Sequence, residues 1–221
     1  EAIAEARLAT EQLGRIGASP LVADAWTAGA RAAITLCDLA AAEVAIGELA
    51  ALVETVKHAL LLSYLDHLRG LVALLRGDLA TAELRIGQAA ARMAENGYRS
   101  VRAPVIADLA CAHFMRGAPT RAEALLAEAV EVAEAVNDLR TTLDARVRWA
   151  ACLLALSRVD RARDALEGAR ACAHREPAPR SRAMFDRVAR RLELPLLGAR
   201  SPDGPPWLDE RLLDHLLAGS G

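Results

Sequence analysis

The sequence has few aromatic residues and no apolar run long enough to cross a membrane. Phe, Trp and Tyr together make up 3% of the 221 residues, and Val and Ile rarely alternate with polar residues, so little favours β-strands. The longest apolar stretch, residues 59–65, is followed at once by Asp66, His67 and Arg69 and is far shorter than a membrane span. We therefore expect a soluble, all-α protein without a membrane partner.

Sequence patterns of self-sufficient catalytic sites are also missing. No GxxxxGK[ST], GxGxxG, HExxH, GxSxG or EF-hand spacing occurs, so we expect a protein that is not an enzyme and holds no cofactor. The four cysteines form no CxxC pair and the five histidines are scattered. We expect four buried, reduced thiols and no bound metal. No secretion signal opens the chain, which favours a cytoplasmic location.

The residues that are abundant favour helices and a large core. Hydrophobic residues make up 53% of the chain, and Ala, Leu, Arg and Glu dominate. The net charge is −2, and the arginine-rich region at 140–200 lacks interleaved aromatics, so we expect a solvated or interdomain face there and no nucleic-acid binding. The chain begins without Met inside an amphipathic pattern, and we expect a fragment of a longer protein.

Helix breakers recur with a period of 40 residues. One column reads Cys37, Gly77, Gly117, Ser157. After this column come Asp38 and Asp78, which suit helix N-caps, and Pro119, which suits a first helical turn. A second column lies twenty residues later and reads Gly17, Lys57, Gly97, Asn137, Pro177. Lys57 is not a typical terminator, so composition does not place the turn between residues 53 and 76. Each unit is predicted to contain two helices and two turns.

Small residues recur with the same period. Alanine stands five residues after each turn of the first column, at positions 42, 82, 122 and 162, and the preceding helices carry Ala30, Gly70, Ala110 and Ala150. Small side chains let antiparallel helices approach closely, so we predict that the two columns face each other. Ile46, Ile86, Leu126 and Leu166 should fill the next layer of a stacked solenoid.

This arrangement resembles the tetratricopeptide repeat, whose signature is a Trp, a Leu-Gly, a Gly-Asp-type turn and two later alanines. The matching residues are Trp26, Gly70, Leu109, Gly77, Gly117, and the alanines at 42, 82, 122, 162, 89, 129 and 169. The resemblance covers residues 1–175 and implies an all-α, right-handed solenoid of antiparallel helix pairs. The longer period and the Ala/Arg-rich composition are similar to the helical sensor regions of large ATP-dependent LuxR-type bacterial regulators.

Two further helices are expected after the repeats. Residues 180–193 should form a capping helix whose apolar stripe is Met184, Phe185, Val188, Ala189 and Leu192. Residues 195–206 are typical of a turn-rich linker, and residues 207–217 of a short amphipathic helix that is marginal alone. This helix must dock on this chain, on a partner or on a following domain, and we favour docking as a terminal cap. The predicted domains are a repeat domain at 1–194 and a linker plus helix at 195–221.

The resemblance also implies that the first helix of each unit lines a concave groove. By alignment we predict a partner-binding groove with an apolar centre and charged ends, formed by Arg31, Tyr64, His67, Leu71, Cys111, Phe114 and Arg148. Tyr64, His67 and Leu71 are expected to be exposed, whereas Leu74 and Phe114 are alternatively inter-repeat core.

The predicted function is a non-catalytic interaction module of a larger cytoplasmic signalling or transcriptional regulator. Its groove would bind a protein or peptide, a small effector, or another domain of the parent chain. Two alternatives remain open at this point. One is the regulatory arm of an enzyme, such as a nucleotide cyclase, a kinase or a caspase-like protease, whose catalytic domain lies outside this chain. The other is a scaffold that associates with itself.

Overall fold

The computed structural model describes residues 2–15, 19–175, 178–198 and 208–218. In these ranges all regular structure is α-helical, which confirms the predicted class. The helices are α1 (Ala2–Arg15), α2 (Ser19–Thr35), α3 (Leu39–Val56), α4 (Ala59–Leu75), α5 (Leu79–Glu95), α6 (Arg99–Met115), α7 (Pro119–Ala135), α8 (Leu139–Ala155), α9 (Val159–Arg175), α10 (Pro179–Arg191) and α11 (Leu208–Ala218). Among the described helices, none combines the length and apolarity needed to cross a membrane.

The turns between helices fall where the 40-residue period predicts them. Every described member of both breaker columns has a positive φ, including the non-glycine residues Cys37, Asn137 and Ser157. Lys57 adopts φ 50° and its amide donates a hydrogen bond to the Val53 carbonyl. The turn that composition left unplaced therefore lies between Val56 and Ala59. Gly17 and Pro177 lie outside the described residues.

Aspartate side chains begin several of these helices, as predicted for two of them. Asp38 accepts a hydrogen bond from the Ala41 amide at 3.0 Å, and Asp78 accepts one from the Thr81 amide at 3.1 Å. The hydrogen bonds from Thr81 lower the pKa of the Asp78 carboxyl. Asp138 caps α8 in the same way, which the sequence argument did not anticipate. These carboxylates satisfy amides that have no partner within the helix.

The chain forms two compact units, Glu1–Gly97 and Tyr98–Gly221. In the first, α1 packs on α2, α2 pairs with α3, and α4 pairs with α5. In the second, α6 pairs with α7, α8 pairs with α9, and α10 packs on α8 and α9. Consecutive antiparallel pairs of this kind are the predicted solenoid architecture, and the expected small-residue contacts hold them together.

The alanine and small-residue columns are buried as predicted. All four alanines of the second-helix column, and Ala30, Ala110 and Ala150 of the first, have no exposed surface. At Gly70 the approach is closest, because a Cβ placed there would lie 2.5 Å from Ile86 Cγ1 and 3.3 Å from the Ala82 carbonyl oxygen. The two columns therefore face each other.

Helix α10 matches the predicted capping helix in both position and buried stripe. It begins at Pro179, 40 residues after the first residue of α8, so it continues the series of first helices. All five apolar residues named for it are buried. Its N-terminus carries proline in the first turn, where the missing amide hydrogen is not needed.

Candidate functional site

In the second unit, the short helix α11 lies on the first helices α6 and α8. It packs mainly against α8, also against α6, and only marginally against α10. We call the surface beneath it the α6–α8 face. The helix buries one apolar stripe and leaves Arg211, Asp214 and His215 exposed. The buried stripe consists of Leu208, Leu212, Leu213, Leu216 and Leu217.

This placement corrects the expectation of a terminal cap. Helix α11 docks on this chain, but it covers the face of the first helices, where the groove was predicted. A member of the repeat series would begin 40 residues after Val159 and pack against α10. Instead, α11 begins at Leu208 and packs chiefly on α8. Trp207, which was expected on its apolar face, lies outside the described residues.

Two of the predicted groove residues in the second unit are buried rather than accessible. Arg148 is 5% exposed, and its Nη1 donates a hydrogen bond to Asp108 Oδ1 at 2.8 Å. A buried guanidinium needs such a partner, so Arg148 joins α8 to α6 and is not a free charge for an acidic ligand. Cys111 is also buried, whereas Phe114 is half-buried. With α11 in place, Arg148 and Cys111 are buried and do not present themselves to a partner, contrary to expectation.

In the first unit the same correction applies to His67 and Leu71, which are 2% and 5% exposed. The reason is that α4 packs against α2 and α3 as well as α5, so more than one of its stripes is covered. Leu74 is buried as well, which matches the core alternative. A helix inside a stack of helices is apolar on most sides. A stripe of α4 that does not contain Gly70 can therefore still be buried.

Arg31 and Tyr64 remain accessible in the first unit. Arg31 is exposed and Tyr64 is half-buried. Burial raises the pKa of the Tyr64 hydroxyl, the positive charge of Arg31 opposes the shift, and the negative charge of Asp24 adds to it. Asp24 and Arg31 belong to α2 and Tyr64 to α4. Two first helices thus combine an aromatic ring with charges of both signs.

The sequence pattern did not predict an ion cluster around the buried carboxylate of Asp66, whose arginine partners are partly exposed. Asp66 is 4% exposed, and its two carboxylate oxygens accept hydrogen bonds from Arg85 at 2.9 Å and Arg92 at 3.0 Å. The two arginines lie on α5, so the cluster ties α4 to α5. The signal in the sequence was an aspartate inside an apolar run, with arginines on the partner helix. Its role is structural.

The cysteines are less uniform than expected. Cys111 and Cys152 are buried, but Cys37 and Cys172 are partly exposed, so the expectation of four buried thiols is wrong for two. Burial, followed by Cys111 and Glu123, raises the pKa of Cys152 to about 12 against the opposing charge of Arg158. Such a thiol carries little thiolate at neutral pH and is a poor nucleophile. In the part of the chain that the structure describes, no three His, Cys, Asp or Glu side chains are grouped to hold a metal ion.

Comparison with known proteins shows that this chain is similar to solved structures in its fold. No protein-family model matches the sequence, and no curated protein matches it either. BtubC (BKLC) from P. vanneervenii is a structural neighbour with a TM-score of 0.67 and 16% identity, over 99% of this chain and 87% of that one. A singly substituted variant of the kinesin light chain TPR-like repeats of Podosopora anserina matches with a TM-score of 0.53 and 15% identity. That match covers 98% of this chain and 92% of the other.

A second structure of the same Podosopora anserina repeats gives a TM-score of 0.52 at 15% identity, over 98% and 93% of the two chains. Identities this low carry information on the fold and not on a shared ligand. The narrower similarity to LuxR-type regulators stays a prediction. The helix pairs, the positive-φ turns and these neighbours together show that the chain has a TPR-like helical-repeat fold.

Proposed function

We propose that this chain is a non-catalytic protein-interaction module that binds partners on the faces of its first helices. One observation carries the proposal: the α6–α8 face already holds an amphipathic helix, α11, through five buried leucines. Docking of a helix's apolar stripe in a groove is a common mode of peptide recognition. The chain's own C-terminal helix is thus an example of the ligand that such a face can accept.

We also propose that the first unit contributes a contact surface centred on Tyr64 and Arg31. The half-buried ring offers a rigid apolar surface at low entropic cost, and the exposed guanidinium offers a charge that steers an acidic partner. Phe114 on α6 is a half-buried aromatic residue of the second unit, at a different position of the repeat from Tyr64. His67, Leu71, Cys111 and Arg148 support these surfaces from the interior.

The proposed setting is a larger cytoplasmic signalling or transcriptional regulator. What supports it is the resemblance of the 40-residue, Ala/Arg-rich repeats to the sensor regions of LuxR-type bacterial regulators. In such a protein the repeats at 1–194 would receive the partner, and the helix within the segment at 195–221 would occupy the α6–α8 face.

Capture from a lysate of the source cells tests the first-unit surface. Immobilised wild-type chain should retain a partner that the double variant Arg31→Glu, Tyr64→Ala loses. Arg69→Ala is the matched control, because Arg69 is exposed on the same helix as Tyr64. Circular dichroism should show equal helicity in all three. Equal recovery of every bound protein by the double variant and the control would contradict the proposal.

A further inference from the structure

We propose that the α6–α8 face is a seat for a leucine-rich, acidic amphipathic helix of a partner protein, and that α11 is its built-in competitor. The inference rests on the proposed interaction function and deepens it, because it names the class of partner and how access is controlled. The partner helix enters the seat when α11 leaves it.

Helix α11 is an addition to the repeat series and not a member of it. Every second helix from α3 to α9 pairs with the first helix that precedes it. Helix α11 follows α10 in the chain but packs chiefly on α8 and α6. It therefore occupies a surface that the repeats leave available for a helix.

The buried face of α11 shows which kind of helix the seat accepts. The five buried leucines stand at i, i+4, i+5, i+8 and i+9, which is one face of a helix. An 11-residue helix is too short to be stable by itself in water. Its order depends on the seat, so α11 gains helical structure when it binds and loses it when it is displaced. A partner helix with the same spacing meets the same apolar surface.

Arginine side chains of α10 lie at the rim of the seat. Arg187 of α10 forms an ion pair with Asp214 of α11, and the two side chains are 32% and 52% exposed. Arg187, Arg190 and Arg191 line an open cleft of about 370 Å³ beside the C-terminal end of α11. This basic rim favours an occupant with acidic residues on its outer side. Because the pair is solvated, it directs orientation more than it adds affinity.

Helix α11 belongs to the same chain as the seat that it occupies. The chain before it is anchored on α10, where the Leu197 amide donates to Asp186 and the Leu197 carbonyl accepts from Arg182. Covalent linkage raises the effective concentration of α11 at the seat above that of a partner in solution, so α11 competes with a partner in trans.

Peptide binding to the full chain tests the seat. The probe is a fluorescent peptide of residues 207–218, and the two proteins are wild type and the double variant Leu213→Asp, Leu216→Asp, in which α11 cannot bury its stripe. Loss of the tethered competitor should tighten peptide binding by about tenfold or more. A peptide carrying Leu213→Asp should bind neither protein. Equal affinity of the unaltered peptide for both proteins, or no binding to either, overturns the proposal.

A charge exchange gives a second test that leaves the apolar contacts unchanged. Wild-type chain should prefer the unaltered peptide over a peptide with Asp214→Arg, and the Arg187→Asp chain should reverse this preference. Absence of the reversal removes the assigned orientation and overturns the rim argument. Light scattering should show a monomeric wild-type chain. A dimer formed by exchange of α11 would assign the seat to a second copy and overturn the partner assignment.

The outcomes separate this inference from the proposed function. The peptide assays need no cellular partner and report only on the second unit, whereas the capture experiment reports on Arg31 and Tyr64 in the first. Peptide binding together with failed capture would support the seat and contradict the first-unit surface. Failed peptide binding with successful capture would do the opposite.

Discussion

Replacing Gly70 by alanine should destabilise the first unit, although alanine is the better helix former. Gly70 lies inside α4, where alanine gains about 1 kcal/mol in helix propensity. Against this gain, the new Cβ would lie 2.5 Å from Ile86 Cγ1, 3.1 Å from the Ile86 amide nitrogen and 3.3 Å from the Ala82 carbonyl oxygen. Two of these three neighbours are backbone atoms, and the third belongs to a fully buried side chain, so little can move aside.

The net effect follows from the two opposing terms. Overpacking of this kind costs about 1 to 3 kcal/mol, so the free energy of unfolding should fall by about 1 kcal/mol after the propensity gain of about 1 kcal/mol is subtracted. Gly47 is the matched control: it lies inside α3 in the same unit, and a Cβ there would meet nothing within 4 Å. Gly47→Ala should raise the stability by about 0.5 to 1 kcal/mol.

Urea unfolding followed by far-ultraviolet circular dichroism measures the free energy of unfolding of both variants. Both substitutions lie in the first unit, so they report on the same part of the fold. The two should shift the midpoint in opposite directions. In a chain that already carries Ile86→Ala, Gly70→Ala should lower the free energy of unfolding by less, because the closest contact is then gone. If Gly70→Ala and Gly47→Ala stabilise equally, the close approach of α4 to α5 does not exist and the assigned repeat register is wrong.

Three further predictions concern buried groups. Leu71→Asp should lower the free energy of unfolding by more than about 2 kcal/mol, because it buries an unpaired charge; a wild-type melting curve would restore Leu71 to an exposed surface. Arg148→Ala should lower the free energy of unfolding by about 3 to 5 kcal/mol, because it removes the buried guanidinium that pairs with the Asp108 carboxylate, and adding Asp108→Leu should recover much of that loss in chemical denaturation. A thiol reagent at pH 8 should modify the two partly exposed cysteines well before Cys152, whose pKa of about 12 suppresses its thiolate, while four thiols should react in denaturant. Mass spectrometry over time checks the order, and early modification of Cys152 would contradict its burial.

The repeat architecture was predictable because it depends on local backbone chemistry that recurs at a fixed spacing. Residues that tolerate a positive φ, aspartates that cap the next helix and alanines that permit close packing stand at the same offset in each unit. Lys57 is a poor turn residue by type, yet it adopts the left-handed conformation at the position where the 40-residue series places a turn. The buried stripe of α10 followed in the same way from helical spacing.

The candidate groove was predicted less well. Periodicity shows which residues share one stripe of a helix, but it does not show what packs against that stripe. His67 and Leu71 share a stripe distinct from that of Gly70. This stripe would be exposed only if other helices covered α4 on a single side. Contacts with α2 and α3 as well as α5 bury it. Arg148 was interpreted as a surface charge because its partner, Asp108, stands forty residues earlier, in the preceding repeat. An ion pair between two repeats leaves no local signal in the sequence.

The position of α11 was decided by tertiary structure alone. Its sequence specifies an amphipathic helix that must bury five leucines, and this requirement is local. An apolar stripe does not specify which surface will bury it, however. The end of the stack, a partner or another domain would bury it equally well. The α6–α8 face becomes the seat because two first helices, forty residues apart in sequence, lie side by side there, with the arginines of α10 at its rim. Sequence thus determined that the helix needs a surface, and the packing of the second unit determined which one.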